Sequence, residues 1–301
     1  MSHTQAQSEK NRAAGTSVLA AIGLTAFKLI IGIATNSLGI LAEAAHSALD
    51  LGAALMTWFA VRISGRPADG EHQFGHGKVE NLSALFEALL LLLTSVWIIY
   101  EAVQRLFFKT EEVEVSIWAF IVMGTSIVVD INRSRMLYKA ANKYNSQALE
   151  ADALHFSTDI WSSSVVILGL IGVTVARFVP GLSWMTFADA IAAMVVAVIV
   201  IYVSGELGWR TIQALLDTAP EGKRDQIVKM VEALEGVENC HAVRIRPSGA
   251  GWFVDLHITM DGNCTLNEAH QMTETIEQEI HKILPGVDAT VHVEPLEMAD
   301  T

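Results

Sequence analysis

Two histidine–aspartate pairs with identical spacing could carry the chemistry of this chain. His46 and Asp50 are four residues apart, as are His155 and Asp159. Residues at this spacing lie one above the other on the same face of a helix. Imidazole nitrogen and carboxylate oxygen both bind Zn²⁺, which favours tetrahedral sites with four ligands. The two pairs therefore predict one metal site with two nitrogen and two oxygen ligands.

Both pairs lead directly into apolar sequence. A charged side chain at the centre of a bilayer costs about 2.5–3.5 kcal/mol, so such groups usually have a function. A divalent cation would neutralise the two carboxylates, and protons can replace it because imidazoles titrate near neutral pH. A site that holds either metal or protons suits an exchanger. The alternative is that each pair only stabilises its own helix.

Hydrophobic composition identifies the elements that must position these pairs. The chain has 301 residues and 51% of them are hydrophobic, which indicates a membrane-embedded protein. Basic residues in the short loops predict that both termini are cytoplasmic, and the polar N-terminus predicts no cleaved leader. Six windows are long enough to span a bilayer, namely 13–34, 39–63, 82–107, 115–137, 153–177 and 183–209.

The sequence after the sixth window has a different pattern. It predicts two amphipathic helices and three alternating strands in the order αββαβ, with a hairpin at Pro247–Gly251. This order is typical of a small α+β domain with helices on one face of a sheet. We therefore divide the chain into a cytosolic tail (1–12), a transmembrane domain (13–210) and a cytosolic C-terminal domain (211–301).

Charge and cysteine content argue against a nucleic-acid-binding protein and against a fold held by disulfides. The formal net charge of −13 argues against binding to nucleic acid. Cys240 and Cys264 form no CxxC motif and fall in the predicted cytosolic domain, where disulfides are rare.

Two further groups of residues are candidate metal ligands. Asp69, His72 and His76 lie in the glycine-rich loop after the second window, which could equally be a solvated linker. A second set falls on adjacent predicted strands, where ordinary surface histidines are the alternative. This set consists of His241, His257, His292 and Glu294.

Several motifs together resemble the cation diffusion facilitator family, whose zinc-transporter-type members export divalent metals. The resemblance covers nearly the whole chain. Its motifs are His46-x₃-Asp50, His155-x₃-Asp159, Pro67-Ala-Asp69-x₂-His72-x-Phe-Gly-His76-Gly-Lys78 and Leu215-Leu-Asp217.

The resemblance implies a fold and an activity. It implies six transmembrane helices, a metallochaperone-like cytosolic domain and a homodimer in the bacterial inner membrane. The activity implied is Zn²⁺/H⁺ antiport by alternating access, and no enzymatic reaction. His46, Asp50, His155 and Asp159 would form the transport site.

The resemblance also assigns the remaining residues. Asp69, His72 and His76 would form a loop site, and the histidines and Glu294 of the strands a cytosolic cluster. His270 is a further candidate there for a second ion. Lys78 and Asp217 would join a charge network at the hinge between the membrane and cytosolic domains of the dimer.

Three departures from the family pattern affect these expectations. His46 stands where some bacterial members carry aspartate, which favours zinc over cadmium. Glu294 stands where aspartate is common, which affects the coordination geometry of the cytosolic cluster. No long histidine-rich loop joins windows four and five, which is typical of a compact prokaryotic member.

Other functions remain open from the sequence. Fe²⁺, Mn²⁺ or Co²⁺ could be the main substrate of the same mechanism, although Mn²⁺ prefers more oxygen ligands. A metal sensor that does not transport is a different class. An intramembrane metallohydrolase is disfavoured, because the HExxH motif is absent.

Overall fold

The computed structural model of the chain describes residues 3–107, 117–178 and 185–296. Six long helices confirm the predicted membrane domain. Within the described residues, five of them are long and apolar enough to cross a membrane, and only α5 is not among the five. The helices are α1 (His3–Thr35), α2 (Leu38–Ser64), α3 (Lys78–Phe107), α4 (Ile117–Tyr144), α5 (Gln147–Phe178) and α6 (Met185–Leu215).

Local sequence explains where α2 and α5 begin. Ser37 is the N-cap of α2, and its hydroxyl accepts a hydrogen bond from the Ile40 amide at 3.4 Å. The α5 helix begins at Gln147, several residues before the apolar window at 153, and the Ser146 hydroxyl accepts a hydrogen bond from the Leu149 amide at 3.5 Å. Residues 115 and 116 of the fourth window, and 183 and 184 of the sixth, lie outside the described residues.

Small residues bring the helices that carry the two pairs close together. The α4 helix packs against α5, α1 packs against α2, and α2 also contacts α5. Ala54 of α2 and Ala153 of α5 belong to one buried cluster with Phe156. Small side chains at such contacts allow helix backbones to approach closely. The packing therefore sets α2 and α5 side by side around the site.

The cytosolic domain has the predicted order αββαβ. The strands form one sheet in the order β1–β2–β3, in which β1 and β2 are antiparallel and β2 and β3 are parallel. One face of the sheet packs with both helices around a core that includes Ile258 and Ile276. The elements are α7 (Lys223–Glu232), β1 (Asn239–Ser248), β2 (Gly251–Met260), α8 (Leu266–Ile283) and β3 (Val287–Pro295).

The core of the cytosolic domain makes its stability sensitive to truncation of α8. Ile276 is fully buried, so Ile276→Ala is expected to lower the free energy of unfolding by about 2–5 kcal/mol. The neighbouring Glu277 is exposed, and Glu277→Ala is expected to change it by less than about 0.5 kcal/mol. Denaturant unfolding of the purified chains, followed by circular dichroism, measures both. Equal effects of the two variants would contradict the assignment of this core.

Candidate metal sites

The intramembrane histidines and aspartates come together between α2 and α5. His155 Nε2 lies 3.2 Å from Asp50 Oδ1 and 3.6 Å from Asp159 Oδ2. One ligand atom from each of these three residues falls within 4.8 Å of the others, close enough to share an ion. The contact between Asp50 and His155 joins residues that are 105 apart in sequence. Tertiary packing thus brings the second pair to the first.

His46 stands at the edge of this group. Its Nε2 lies 3.8 Å from Asp50 Oδ1 and 4.0 Å from Asp159 Oδ1. Half of the His46 side chain is exposed, whereas only 9% of the His155 side chain is. Both carboxylates and His46 line a cavity of about 60 Å³. This volume accommodates one ion together with a few water molecules, since a water needs about 10–15 Å³ on the same measure.

The loop residues form a second cluster. Asp69 Oδ1 lies 3.6 Å from His72 Nδ1, and Asp69 Oδ2 lies 3.4 Å from His76 Nε2. Gly75 has φ +73° and donates its amide to the His72 carbonyl at 2.9 Å, which turns the loop back on itself. The backbone amides of His72 and Glu71 donate to the Asp69 carboxylate and lower its pKa. Asp69 is therefore kept ionised and available to a cation.

The strand residues form a third cluster on the exposed face of the sheet. His241, His257 and His292 lie directly opposite one another on β1, β2 and β3. Glu294 Oε1 lies 2.8 Å from His257 Nδ1, and Glu294 Oε2 lies 3.2 Å from His241 Nε2. The hydrogen bond from His257 lowers the pKa of Glu294.

In the cytosolic domain, His270 and Cys240 lie away from this cluster, whereas His292 lies at its edge. His270 Nε2 lies 3.5 Å from Glu274 on the same helix, and among the described residues it is in none of the three clusters that could hold an ion. Cys240 points into the hydrophobic core, where burial raises the pKa of its thiol. His292 Nε2 lies 3.7 Å from Glu294 Oε1, near the cluster of His241, His257 and Glu294.

An ion pair joins the membrane and cytosolic halves of the chain. Lys78 Nζ lies 2.8 Å from Asp217 Oδ1 and donates to the Leu215 carbonyl at 3.2 Å. Asp217 has φ +61°, which turns the chain sharply after α6. The pair lies where α3 begins and α6 ends. Its position suits a hinge, although a role in the dimer stays a prediction.

Comparison with known proteins assigns the chain to a family. The model of the cation efflux transmembrane domain matches residues 16–216, and that of the cytoplasmic domain of cation efflux proteins matches residues 219–296. The chain belongs to the cation diffusion facilitator family. Members are membrane transporters for cations, so this facilitator is an integral membrane protein and not an enzyme.

Individual relatives match this facilitator along most of its length. The cation-efflux pump FieF of Salmonella arizonae is 32% identical over 292 residues, which cover 95% of this chain and 92% of the relative. The FieF pump of Cronobacter sakazakii is 33% identical over 288 residues, with 95% and 92% covered. Among solved structures, the metal-bound C-terminal domain of the CzcD transporter from Thermotoga maritima is 35% identical. It covers 26% of this chain and 92% of that domain, with a TM-score of 0.24.

Sequence reasoning missed a residue of the facilitator that lines the intramembrane cavity. Asp130 of α4 lines it together with Asp50 and Asp159. The sequence signal is a carboxylate inside a predicted span, although its three-residue spacing to Arg133 also suits a simple ion pair near the membrane interface. The pair exists at 3.3 Å, but both residues are buried.

The ion pair of Lys78 is expected to contribute little to the stability of the facilitator. Both side chains are about two-fifths exposed (39% and 43%), and exposed pairs are worth about 0–1 kcal/mol. Lys78→Ala should therefore lower the free energy of unfolding by no more than about 1 kcal/mol. Lys282→Ala, which breaks an exposed pair with Glu279 on α8, is the matched control in denaturant unfolding. A loss of several kcal/mol for Lys78→Ala alone would contradict this expectation.

Proposed function

We propose that this facilitator exports Zn²⁺ from the cytoplasm in exchange for protons by alternating access. The observation that carries the proposal is the convergence of two imidazoles and two carboxylates from α2 and α5, of which His46, Asp50 and Asp159 line one small cavity. The bacterial inner membrane, with both termini cytoplasmic, is the proposed location. The chain boundaries proposed for the transport domain are residues 13–210.

The distances in this group suit a tetrahedral ion. Bonds of about 2.0–2.1 Å at tetrahedral angles place neighbouring ligand atoms about 3.3–3.4 Å apart. His155 lies 3.2 and 3.6 Å from its two carboxylates, which brackets that separation. His46 lies 3.8 and 4.0 Å away, so each of these distances must shorten by about half an ångström. These distances support a site in which Asp50, His155 and Asp159 bind the ion first. His46 then completes the tetrahedral coordination.

Charge balance supports exchange for protons. A divalent ion offsets the charges of Asp50 and Asp159, so the occupied site is neutral. When the ion leaves, protons must take its place, because two uncompensated carboxylates in a poorly solvated site are costly. The imidazole nitrogens of His46 and His155 are proton acceptors within this site. One turnover thus exchanges metal for protons at the same four side chains.

The other two clusters are proposed as cytoplasmic zinc sites. The strand cluster supplies three nitrogens and one oxygen, from His241, His257, His292 and Glu294. The loop cluster supplies two nitrogens and one oxygen, from His72, His76 and Asp69. Both donor sets fit Zn²⁺. His76 Nδ1 and His241 Nδ1 are buried without a hydrogen-bond partner in the described structure. We further propose a homodimer, in which Lys78 and Asp217 contribute to the hinge and His270 to a second cytosolic ion.

Metal flux into vesicles tests the proposal. The purified chain is reconstituted, a pH step is applied, and uptake of Zn²⁺, Fe²⁺ and Mn²⁺ is followed with the internal pH. Zn²⁺ uptake coupled to proton movement, and lost in Asp50→Ala, is the expected result. Flux of Fe²⁺ or Mn²⁺ without flux of Zn²⁺ would overturn the assignment of Zn²⁺ as the substrate. Absence of flux for every metal would favour a sensor that does not transport.

A further inference from the structure

Four carboxylates of the described residues line the cavity of the proposed transport site, although two suffice to neutralise a divalent ion. Asp50 and Asp159 face the imidazoles, and Glu43 and Asp130 line the same cavity. Carboxylate-rich sites suit Mg²⁺, Ca²⁺ and Mn²⁺, whereas imidazole ligands suit Zn²⁺. Whether the two additional carboxylates can bind the ion therefore affects which metal the site prefers.

A basic side chain holds each of these additional carboxylates. Lys28 Nζ lies 3.2 Å from Glu43 Oε2. Arg133 Nη1 lies 3.3 Å from Asp130 Oδ1. Lys28 and Arg133 are 4% and 3% exposed, and a buried cation is costly unless it is paired. Each cation is therefore tied to its carboxylate.

Arg133 is fixed by contacts beyond its ion pair. Its Nε and Nη2 donate to Ser17 Oγ at 3.3 and 3.1 Å, and Ser17 in turn donates to Asp152 at 3.3 Å. The guanidinium carbon lies 3.4 Å from the centroid of the Phe156 ring. A planar guanidinium held by hydrogen bonds and by stacking keeps one orientation. That orientation directs Nη1 at Asp130.

We propose that Lys28 and Arg133 determine metal specificity by withholding Glu43 and Asp130 from the transported ion. The inference rests on the transport site proposed above. With Glu43 paired to Lys28 and Asp130 paired to Arg133, the ion meets two oxygens and two nitrogens, and its charge is balanced. Removal of either cation releases a third carboxylate into the cavity, which shifts the preference from Zn²⁺ towards Mn²⁺.

Binding to the purified full-length chain tests this inference. Displacement of bound Co²⁺ by Zn²⁺ and by Mn²⁺ is measured for three chains. They are the parent, the Arg133→Gln variant and the Lys28→Gln variant. The Zn²⁺-to-Mn²⁺ affinity ratio is expected to fall about 10- to 100-fold in each variant. The double variants Arg133→Gln/Asp130→Asn and Lys28→Gln/Glu43→Gln are expected to restore the parent ratio, because the released carboxylate is gone.

The visible spectrum of bound Co²⁺ reports the coordination directly. Each chain is compared with the same chain carrying Asp50→Ala, so that the difference spectrum belongs to the transport site and not to the other clusters. The parent is expected to show intense tetrahedral absorption. Arg133→Gln is expected to show the weaker absorption of a higher coordination number, and its double variant is expected to regain the parent spectrum.

Two results of the competition experiment would overturn the inference. They are an unchanged ratio in both single variants, and a shifted ratio that persists in the double variants. Where Arg133→Gln does not fold, Lys28→Gln and its double variant with Glu43→Gln decide, and circular dichroism of each chain checks its fold. Failure of the proposed transport is seen separately, as absent flux in the parent. A parent without an Asp50-dependent Co²⁺ spectrum would overturn the inference as well.

Discussion

Vesicles that carry the Asp159→Asn chain are expected to move Zn²⁺ at least about 100-fold more slowly than vesicles with the parent chain. Asparagine keeps the shape of the side chain but removes its charge, so a divalent ion in the site meets only one carboxylate. The amide is also a weaker ligand than the carboxylate for Zn²⁺. His155, which lies 3.6 Å from Asp159, loses its charged partner on the same helix. Zn²⁺ flux under a fixed pH step measures the effect.

A matched substitution separates the effect of Asp159→Asn on transport from differences in how well each chain is reconstituted. Asp225 lies on α7 with 74% of its side chain exposed, so Asp225→Asn makes the same chemical change far from the cavity. This control is expected to transport at the parent rate. Circular dichroism of each purified chain checks that the fold is retained. Parent-like Zn²⁺ flux through a folded Asp159→Asn chain would contradict the proposed transport site.

The His257→Ala chain is expected to bind one zinc ion fewer per chain than the parent. His257 occupies the central strand, where its ring lies between those of His241 and His292. Its removal leaves Glu294 without its 2.8 Å partner and separates the remaining ligands. Zinc at about 100 times its Kd stabilises a folded protein by about 2.7 kcal/mol, and this gain should be reduced in the variant. Equilibrium dialysis with metal analysis measures the stoichiometry.

Two other histidine variants give this experiment its controls. His281 is exposed on α8, and His281→Ala is expected to keep the parent stoichiometry. His270→Ala tests the proposed second ion, and its loss of a further zinc would support that site. The same stoichiometry in His257→Ala and in the parent would contradict a metal cluster on the strands.

Periodicity along the chain predicted the elements correctly. The six long helices and the αββαβ order arise from hydrophobic patterns that repeat within single segments. Such patterns are set by the local geometry of helices and strands, which the sequence encodes directly. The four-residue spacing of each histidine–aspartate pair is local in the same sense.

Contacts between distant segments could not be predicted in this way. The buried pair of Lys10 and Glu80, with Nζ and Oε1 2.5 Å apart, joins residues separated by 70 positions. No local pattern identifies Glu43 as the partner of Lys28, since the two residues are 15 positions apart on different helices. The sequence also left open that Asp130 would line the cavity. These contacts depend on how whole helices rotate and pack, which no single segment determines.

The sequence alone thus determined the types and local spacing of the candidate ligands and the elements that carry them. Only the tertiary structure decided which ligands meet. Strand register placed three histidines opposite one another, and helix packing placed Asp50 beside His155. Packing also tied the additional carboxylates to buried cations. The physical reason is that spacing follows from hydrogen bonds within a segment, whereas burial and pairing depend on segments far apart in the chain.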